Sequence, residues 1–242
     1  MDQGNQMGIR YIFHGGTRDR NADGSIRQLG IAHNSAFAAA ARNVQKDYSG
    51  NDSIKVLKIT TAADLVRQVN QNQPGTVKSL DILSHGTPYS LNFSVKENEN
   101  CGLVTGLLAK GLLKVYYSSW DDGIYSFSSQ SRYISDINFD VFTSDARIQI
   151  HGCNTARGSI PGDTLTEAFS KELFAAGKVQ GYVIGHTTKS NPNINGSSTT
   201  IAGQDYRHGR RAIVHNGATL KETLQKGLLL HEDMLKLIPV GP

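Results

Sequence analysis

Leu80-Asp81-Ile82-Leu83-Ser84-His85-Gly86-Thr87 and Arg147-Ile148-Gln149-Ile150-His151-Gly152-Cys153-Asn154-Thr155-Ala156 are the two stretches on which the reading of this chain turns. Each is a short run rich in Ile and Leu that breaks at a glycine, as a strand does. Each also ends in a side chain able to do chemistry. In an open parallel sheet the crevice beyond the carboxyl ends of the strands is where ligands bind. Neighbouring strands that end in His85 and Cys153 therefore bring an imidazole and a thiol to one edge. A thiol attacks poorly until it is ionised, and a close imidazole promotes that ionisation and later protonates the leaving amine. The pair points to a Cys/His hydrolase.

Working outward, the remaining sequence supplies a sheet for these strands. Gly8 to Phe13, Ile54 to Ile59, Val77 to Leu83, Ala146 to Ile150, Val179 to Ile184 and Arg211 to His215 read as six strands. Between them, Ser35 is placed to cap a helix running to Tyr48, whose alanines 36 and 38 to 41 allow close approach to a sheet. Thr61 with Asp64, and Thr164 with Glu167, have capping-box spacing ahead of apolar faces. Pro74-Gly75 and Gly177 are the matching stops. Leu220 to Leu237 is expected to close the chain as a helix. Alternation of strands and helices argues for an α/β fold with a mostly parallel six-stranded sheet covered on both faces, formed by a single domain over 1–242. The pattern loosens over 88–132, read as an insertion between the His and Cys strands. In it, residues 101–113 suggest a short helix, Asp121-Asp122-Gly123 suggests a hairpin turn, and 133–142 a return to helix.

The chain's 242 residues, 38% hydrophobic and 19% charged, describe an ordinary globular protein with one substantial core. A net charge of +4 is spread without a dense basic run or interleaved aromatics, which argues against a nucleic-acid partner. No apolar run reaches membrane-spanning length and the amino terminus lacks a secretory pattern. The expectation is a protein made in the cytoplasm, with any secretion independent of an N-terminal signal peptide. The two cysteines, Cys101 and Cys153, are read as reduced thiols, Cys101 being structural or incidental.

His-Gly after one strand and Gly-Cys after the next resembles the caspase-like cysteine peptidases of clan CD, and most nearly the autoprocessing domains of large bacterial toxins. The resemblance covers roughly 77–190 at the level of motifs. It implies that Cys153 is the nucleophile, that His85 protonates the departing amine, and that the backbone N–H groups of Gly86 and Cys153 form the oxyanion hole. It places substrate-binding loops after the first, fifth and sixth strands, near Thr17 to Arg20 with Arg18, near Thr187 and Thr188, and near Asn216. It implies a protein or peptide substrate, no metal and no cofactor for the chemistry, and an effector or self-processing toxin module as the setting. A small-molecule activator stays open, since basic clusters of the kind that bind inositol phosphate in the toxin domains have no clear counterpart. The chain departs from the family in its long segment between His85 and Cys153 and in lacking a Gln-Ala-Cys signature. Asp81 lies too far back on its strand to serve as an acidic partner of His85.

Two other classes are weighed against this reading. A binding module or pseudoenzyme would keep the sheet and use the 88–132 insertion to contact a partner. A zinc-dependent hydrolase would use the four histidines at the sheet edge, His14, His85, His151 and His186, with Cys153, although no His-Glu-x-x-His or Cys-x-x-Cys spacing is present. Phe13-His14-Gly15-Gly16 is similar to the oxyanion loop of α/β-hydrolase esterases, but the Gly-x-Ser-x-Gly elbow that fold needs is missing. No Gly-x-Gly-x-x-Gly opens a helix after the first strand, which argues against a dinucleotide enzyme.

Overall fold

The computed structural model describes residues 7–15, 31–93, 95–96, 99–100, 103–105, 132–158, 164–190 and 200–239. Its elements are β1 (Ile9–His14), α1 (Ile31–Gln45), β2 (Ser53–Lys58), α2 (Ala62–Asn70), β3 (Val77–Leu83), β4 (Phe142–Ile150), α3 (Leu165–Ala175), β5 (Tyr182–His186), β6 (Arg211–His215), β7 (Ala218–Thr223) and α4 (His231–Leu235). The seven strands form one sheet in the order β7-β6-β5-β4-β3-β1-β2. The five strands from β2 to β5 are parallel, while β6 and β7 are antiparallel to their neighbours. The architecture is thus α/β with a mostly parallel central sheet.

Alternation along the parallel strands decides which side chains enter which layer. Leu80 and Ile82 of β3 and Ile148 and Ile150 of β4 pack with Leu65 and Val69 of α2 and Leu165, Phe169 and Leu173 of α3. On the other face Ile12 and Leu83 meet Phe37, Ala40, Ala41 and Val44 of α1. The alanines do bring α1 close to the strands, as their size allows. Next to it Tyr182, Ile184 and Ile213 pack with Leu229, Met234 and Ile238 around α4. Full burial of a side chain such as Phe37 stabilises by about 1.5–3 kcal/mol.

Both expected helix caps form. Thr61 Oγ1 accepts from Asp64 N at 3.0 Å. At α3, Thr164 Oγ1 accepts from Glu167 N at 3.3 Å while Glu167 Oε2 accepts from Thr164 N at 2.8 Å, satisfying two amides that the helix itself leaves unpaired. Gly75 and Gly177 have φ of +69° and +75°, the left-handed conformation a chain reversal needs.

Several expectations are corrected. The sheet has seven strands rather than six, because 218–223 is a strand and only His231–Leu235 of the expected closing helix is helical. The reason is local: Asn216 and Gly217 both have positive φ, 45° and 74°, which folds the chain into a tight hairpin after β6. Helix α1 begins at Ile31, so Ser35 lies inside it instead of capping it. Residues 134–136 and 139–141 are single 3-10 turns, not a helix. In and flanking the expected insertion, His85–Gly86, Ser90–Asn92, Leu103–Val104 and Arg132–Tyr133 make a small four-stranded sheet. The strand at 103–104 overrides the expected helix there; the expected hairpin around Asp121 lies outside the described residues.

Candidate active site

Strands β3 and β4 are parallel neighbours with Ile150 beside Ile82, and His151 N donates to Ile82 O at 2.8 Å. The two strand-end motifs therefore leave the sheet side by side. A Cβ on Gly86 would lie 3.1 Å from Gly152 Cα and 2.8 Å from Thr155 Cγ2, and one on Gly152 would lie 3.0 Å from Gly86 Cα. Only glycine fits at either position without a shift of the other loop.

The adjoining short ladder sets the direction of the Gly86 N–H. Thr87 N donates to Ser90 O at 2.9 Å, which makes 87 and 90 a hydrogen-bonded pair of the short antiparallel ladder. Pairs alternate along such a ladder, so Gly86 opposite Leu91 is a non-hydrogen-bonded pair and its N–H turns away from that partner strand. The Cβ position of Gly152 is 3.2 Å from Gly86 N.

Cys153 is half-buried. The turn that carries it is held at every step. Asn154, at φ 57°, donates its N–H to Thr188 O at 3.0 Å, and Ala156 N donates to His186 O at 2.9 Å. Buried Thr155 donates its hydroxyl to Gly152 O (3.2 Å) and accepts from His186 N (3.1 Å), while its carbonyl accepts from the Thr166 hydroxyl of α3 (3.2 Å). The nucleophile candidate thus stands on a loop braced by β5 and by the first turn of α3.

An aromatic wall connects it to His85. Phe37 of α1 meets the His85 ring edge-on at 5.3 Å and packs against Tyr206 at 4.9 Å. Burial pushes the Tyr206 hydroxyl up to about 12, and the nearby Cys153 sulfur adds to the effect. Phe37 thus stands between His85 and Tyr206, and Tyr206 is near enough to Cys153 to feel its sulfur.

A second feature escapes sequence reading. Asp81 of β3 is fully buried and accepts hydrogen bonds from Tyr48 Oη and Gln149 Nε2 (3.3 Å), with His151 Nε2 at 3.0 Å. Burial alone would raise the Asp81 carboxyl, but His151, Arg147 and Tyr48 override it and hold it below the ordinary carboxylate range. Arg147 also donates to Tyr48 Oη. Beyond it Asp205, Arg207, His208, His186 and Arg211 continue a buried polar seam on the same side of the sheet. The signal in the sequence is the alternation Arg147, Gln149, His151 against Ile148 and Ile150, which ordinarily marks a solvent-facing side. Here α1 and the segment around 204–208 cover it.

Of the substrate-loop residues expected from the resemblance, Thr187 and Thr188 lie at the Cys153 edge, Thr188 through its carbonyl. Arg18 and the rest of 17–20, like Cys101, fall outside the described residues. Asn216 is misplaced by the expectation: β6 runs antiparallel to β5, so its carboxyl end is at the far side of the sheet, where Gly217 N donates to Ser170 Oγ. Asp81 is committed to His151 rather than to His85. Among the described residues, no group of three or more His, Cys, Asp or Glu side chains is placed to hold a metal ion, and no helix is long and apolar enough to cross a membrane.

Comparison of the chain with protein-family models, with curated proteins and with solved structures gave no match.

Proposed function

We propose that this chain is a caspase-like cysteine endopeptidase. The observation that carries the reading is the backbone contact between Gly86 and Gly152, which sets His85-Gly86 against Gly152-Cys153 at the carboxyl edge of two adjacent parallel strands. In this reading the Cys153 thiolate attacks the scissile carbonyl and the carbonyl oxygen takes up the negative charge. The N–H groups of Gly86 and Cys153 stabilise that oxyanion, a kind of contact whose loss typically costs roughly 10²–10³ in rate. His85 protonates the departing amine, and water then hydrolyses the thioester. The outward turn of the Gly86 N–H supports the oxyanion role, and the Phe37 contact fixes the plane of the His85 ring. Asp81, which is held by His151, does not serve as the acidic partner of His85 in this scheme. A role as an effector or a self-processing module follows from the resemblance to toxin domains alone.

The test is modification of Cys153 by iodoacetamide and by peptide electrophiles, read by mass spectrometry on the wild type, His85→Ala and Cys153→Ala. Selective reaction of Cys153 over Cys101 that weakens in His85→Ala is expected. Equal reaction of the two cysteines would favour a binding module on the same sheet.

A further inference from the structure

The thiol chemistry leaves one buried pair without a use. Asp81 Oδ1 and His151 Nε2 meet at 3.0 Å, and both side chains are closed off from solvent. Tyr48 Oη and Gln149 Nε2 also donate to Asp81, and Arg147 stands 3.8 Å from it, so its carboxyl is ionised and can only accept. Burial keeps His151 neutral. Its one ring proton therefore sits on Nε2, facing Asp81, while Nδ1 has no partner.

The bond joins the two strands that carry the site. Asp81 is on β3, which leads to His85-Gly86, and His151 directly follows β4, which leads to Gly152-Cys153. It crosses beside the last rung of their ladder, Ile82 with Ile150. The two candidate oxyanion donors are thus carried by different strands, and Asp81 and His151 tie those strands together just before them. Among the described residues the Cys153 N–H meets no hydrogen-bond acceptor. It belongs to the planar peptide whose carbonyl, Gly152 O, accepts from the Thr155 hydroxyl at 3.2 Å, so the N–H points away from Thr155. The part of the turn after the sulfur is held separately, by β5, through Asn154 N to Thr188 O and Ala156 N to His186 O. The part before it rests on a glycine, whose backbone turns freely unless its neighbour is anchored. That neighbour is His151.

Resting on the peptidase reading, we propose that His151, anchored to Asp81, is a positioning residue for the oxyanion hole: it holds the Cys153 N–H where it and the Gly86 N–H can bond the same oxyanion. It acts through the backbone it carries. A preorganised donor lowers the barrier only of a step in which negative charge builds on an oxygen. Loss of the anchor should therefore slow attack on a carbonyl and spare the reactivity of the thiolate itself, which the β5 contacts and His85 govern.

Two reagents on the full chain separate these steps. With p-nitrophenyl acetate the Cys153 thiolate adds to the ester carbonyl and the electron pair moves onto its oxygen. That oxyanion then collapses, expelling p-nitrophenolate and leaving an acetyl thioester. With iodoacetamide the thiolate displaces iodide at a saturated carbon and no oxyanion forms. Both rates at Cys153 are read across pH by mass spectrometry. His151→Leu is expected to slow acetylation at least about tenfold, while alkylation and its pH midpoint stay within about twofold of wild type. His151→Phe, which keeps the bulk of the ring, carries the same expectation should His151→Leu not fold. His151→Gln, whose amide can still donate to Asp81, should keep acetylation within about threefold of wild type. Acetylation that is unchanged, or that falls only in step with alkylation, overturns the proposal and confines the Asp81–His151 bond to the fold. Either result leaves the peptidase standing if wild-type alkylation depends on His85. Alkylation that is the same in wild type and His85→Ala removes both.

Discussion

Gly86 and Gly152 stand backbone to backbone where β3 and β4 end, and a Cβ on Gly152 would lie 3.0 Å from Gly86 Cα and 3.2 Å from Gly86 N. The site is therefore sensitive to one methyl group. Gly86→Ala is expected to lose about 1–3 kcal/mol of stability, the usual cost of overpacking, and to slow Cys153 modification by peptide electrophiles. Adding Thr155→Ser removes the Cγ2 atom that the new Cβ meets at 2.8 Å and keeps the hydroxyl that bonds Gly152 O and His186 N. It should restore part of the stability. Urea denaturation of the single and double variants checks this, and a Gly86→Ala protein as stable and as reactive as wild type would show the loops to be farther apart.

Acidification should destabilise the fold through its buried histidines. Burial, then His151 and Arg211, hold His186 down to about 3, and burial outweighs Asp81 in holding His151 below its ordinary 6.5. An unfolded chain takes up these protons near pH 6.5, whereas the folded chain refuses them. The contribution is therefore fully present above pH 6.5 and is lost as the pH falls, for His186 down to about 3. Each such group steepens the loss by about 1.4 kcal/mol per pH unit within its window. Denaturation of wild type and His186→Gln at pH 6.5, 5.5 and 4.5 should give a flatter slope for the variant by about that amount. Identical slopes would mean that His186 titrates in the folded protein as it does in the unfolded chain.

The parallel part of the sheet was legible because β1, β3 and β5 are short apolar runs and β4 alternates Ile148 and Ile150 with polar residues, and because Thr61/Asp64 and Thr164/Glu167 mark their helices locally. The antiparallel end was not. Leu220, Leu224, Leu228 and Leu235 sit at spacings that also suit a helix, while the turn chemistry that decides the matter is only two residues long, Asn216-Gly217. The polar seam was hidden for a related reason. Arg147, Gln149 and His151 look solvent-facing until α1 and residues 204–208 are known to cover them, which local pattern does not encode. Cys153 and His85 were legible as strand ends, whereas the Gly86–Gly152 contact depends on strand order, which only the assembled sheet supplies.

The hairpin that redirects the end of the sheet makes its own demand. Gly217 has φ +74°, and an L side chain in left-handed backbone costs about 1–2 kcal/mol. The nearest atoms to a new Cβ belong to the flexible Lys171 side chain, which can move aside, so backbone conformation sets the cost. Gly217→Ala should lower stability by about that much, whereas Asn216→Gly should be nearly neutral. Hydrogen exchange of the 218–223 amides should quicken in Gly217→Ala before that of β3 or β4. Unchanged exchange there would argue against the β6–β7 turn.

Arg207 joins the end of α1 to the segment that carries Tyr206. Its Nη1 donates to Asp47, just beyond α1, while Nε and Nη2 grip Asp205. Helix α1 carries the Phe37 that packs on His85, and residue 206 is the tyrosine beside Cys153, so this ion pair ties the acid candidate's wall to the nucleophile's. Removing one member of a buried pair strands the other, at a cost of about 3–5 kcal/mol. Arg207→Met should therefore be severely destabilising, and Arg207→Met with Asp205→Asn should recover much of the loss because no buried carboxylate is left bare. If the double variant regains stability and Cys153 still reacts slowly with peptide electrophiles, the pair's role is to position Phe37 and Tyr206. If stability and reactivity return together, its role is confined to holding the fold.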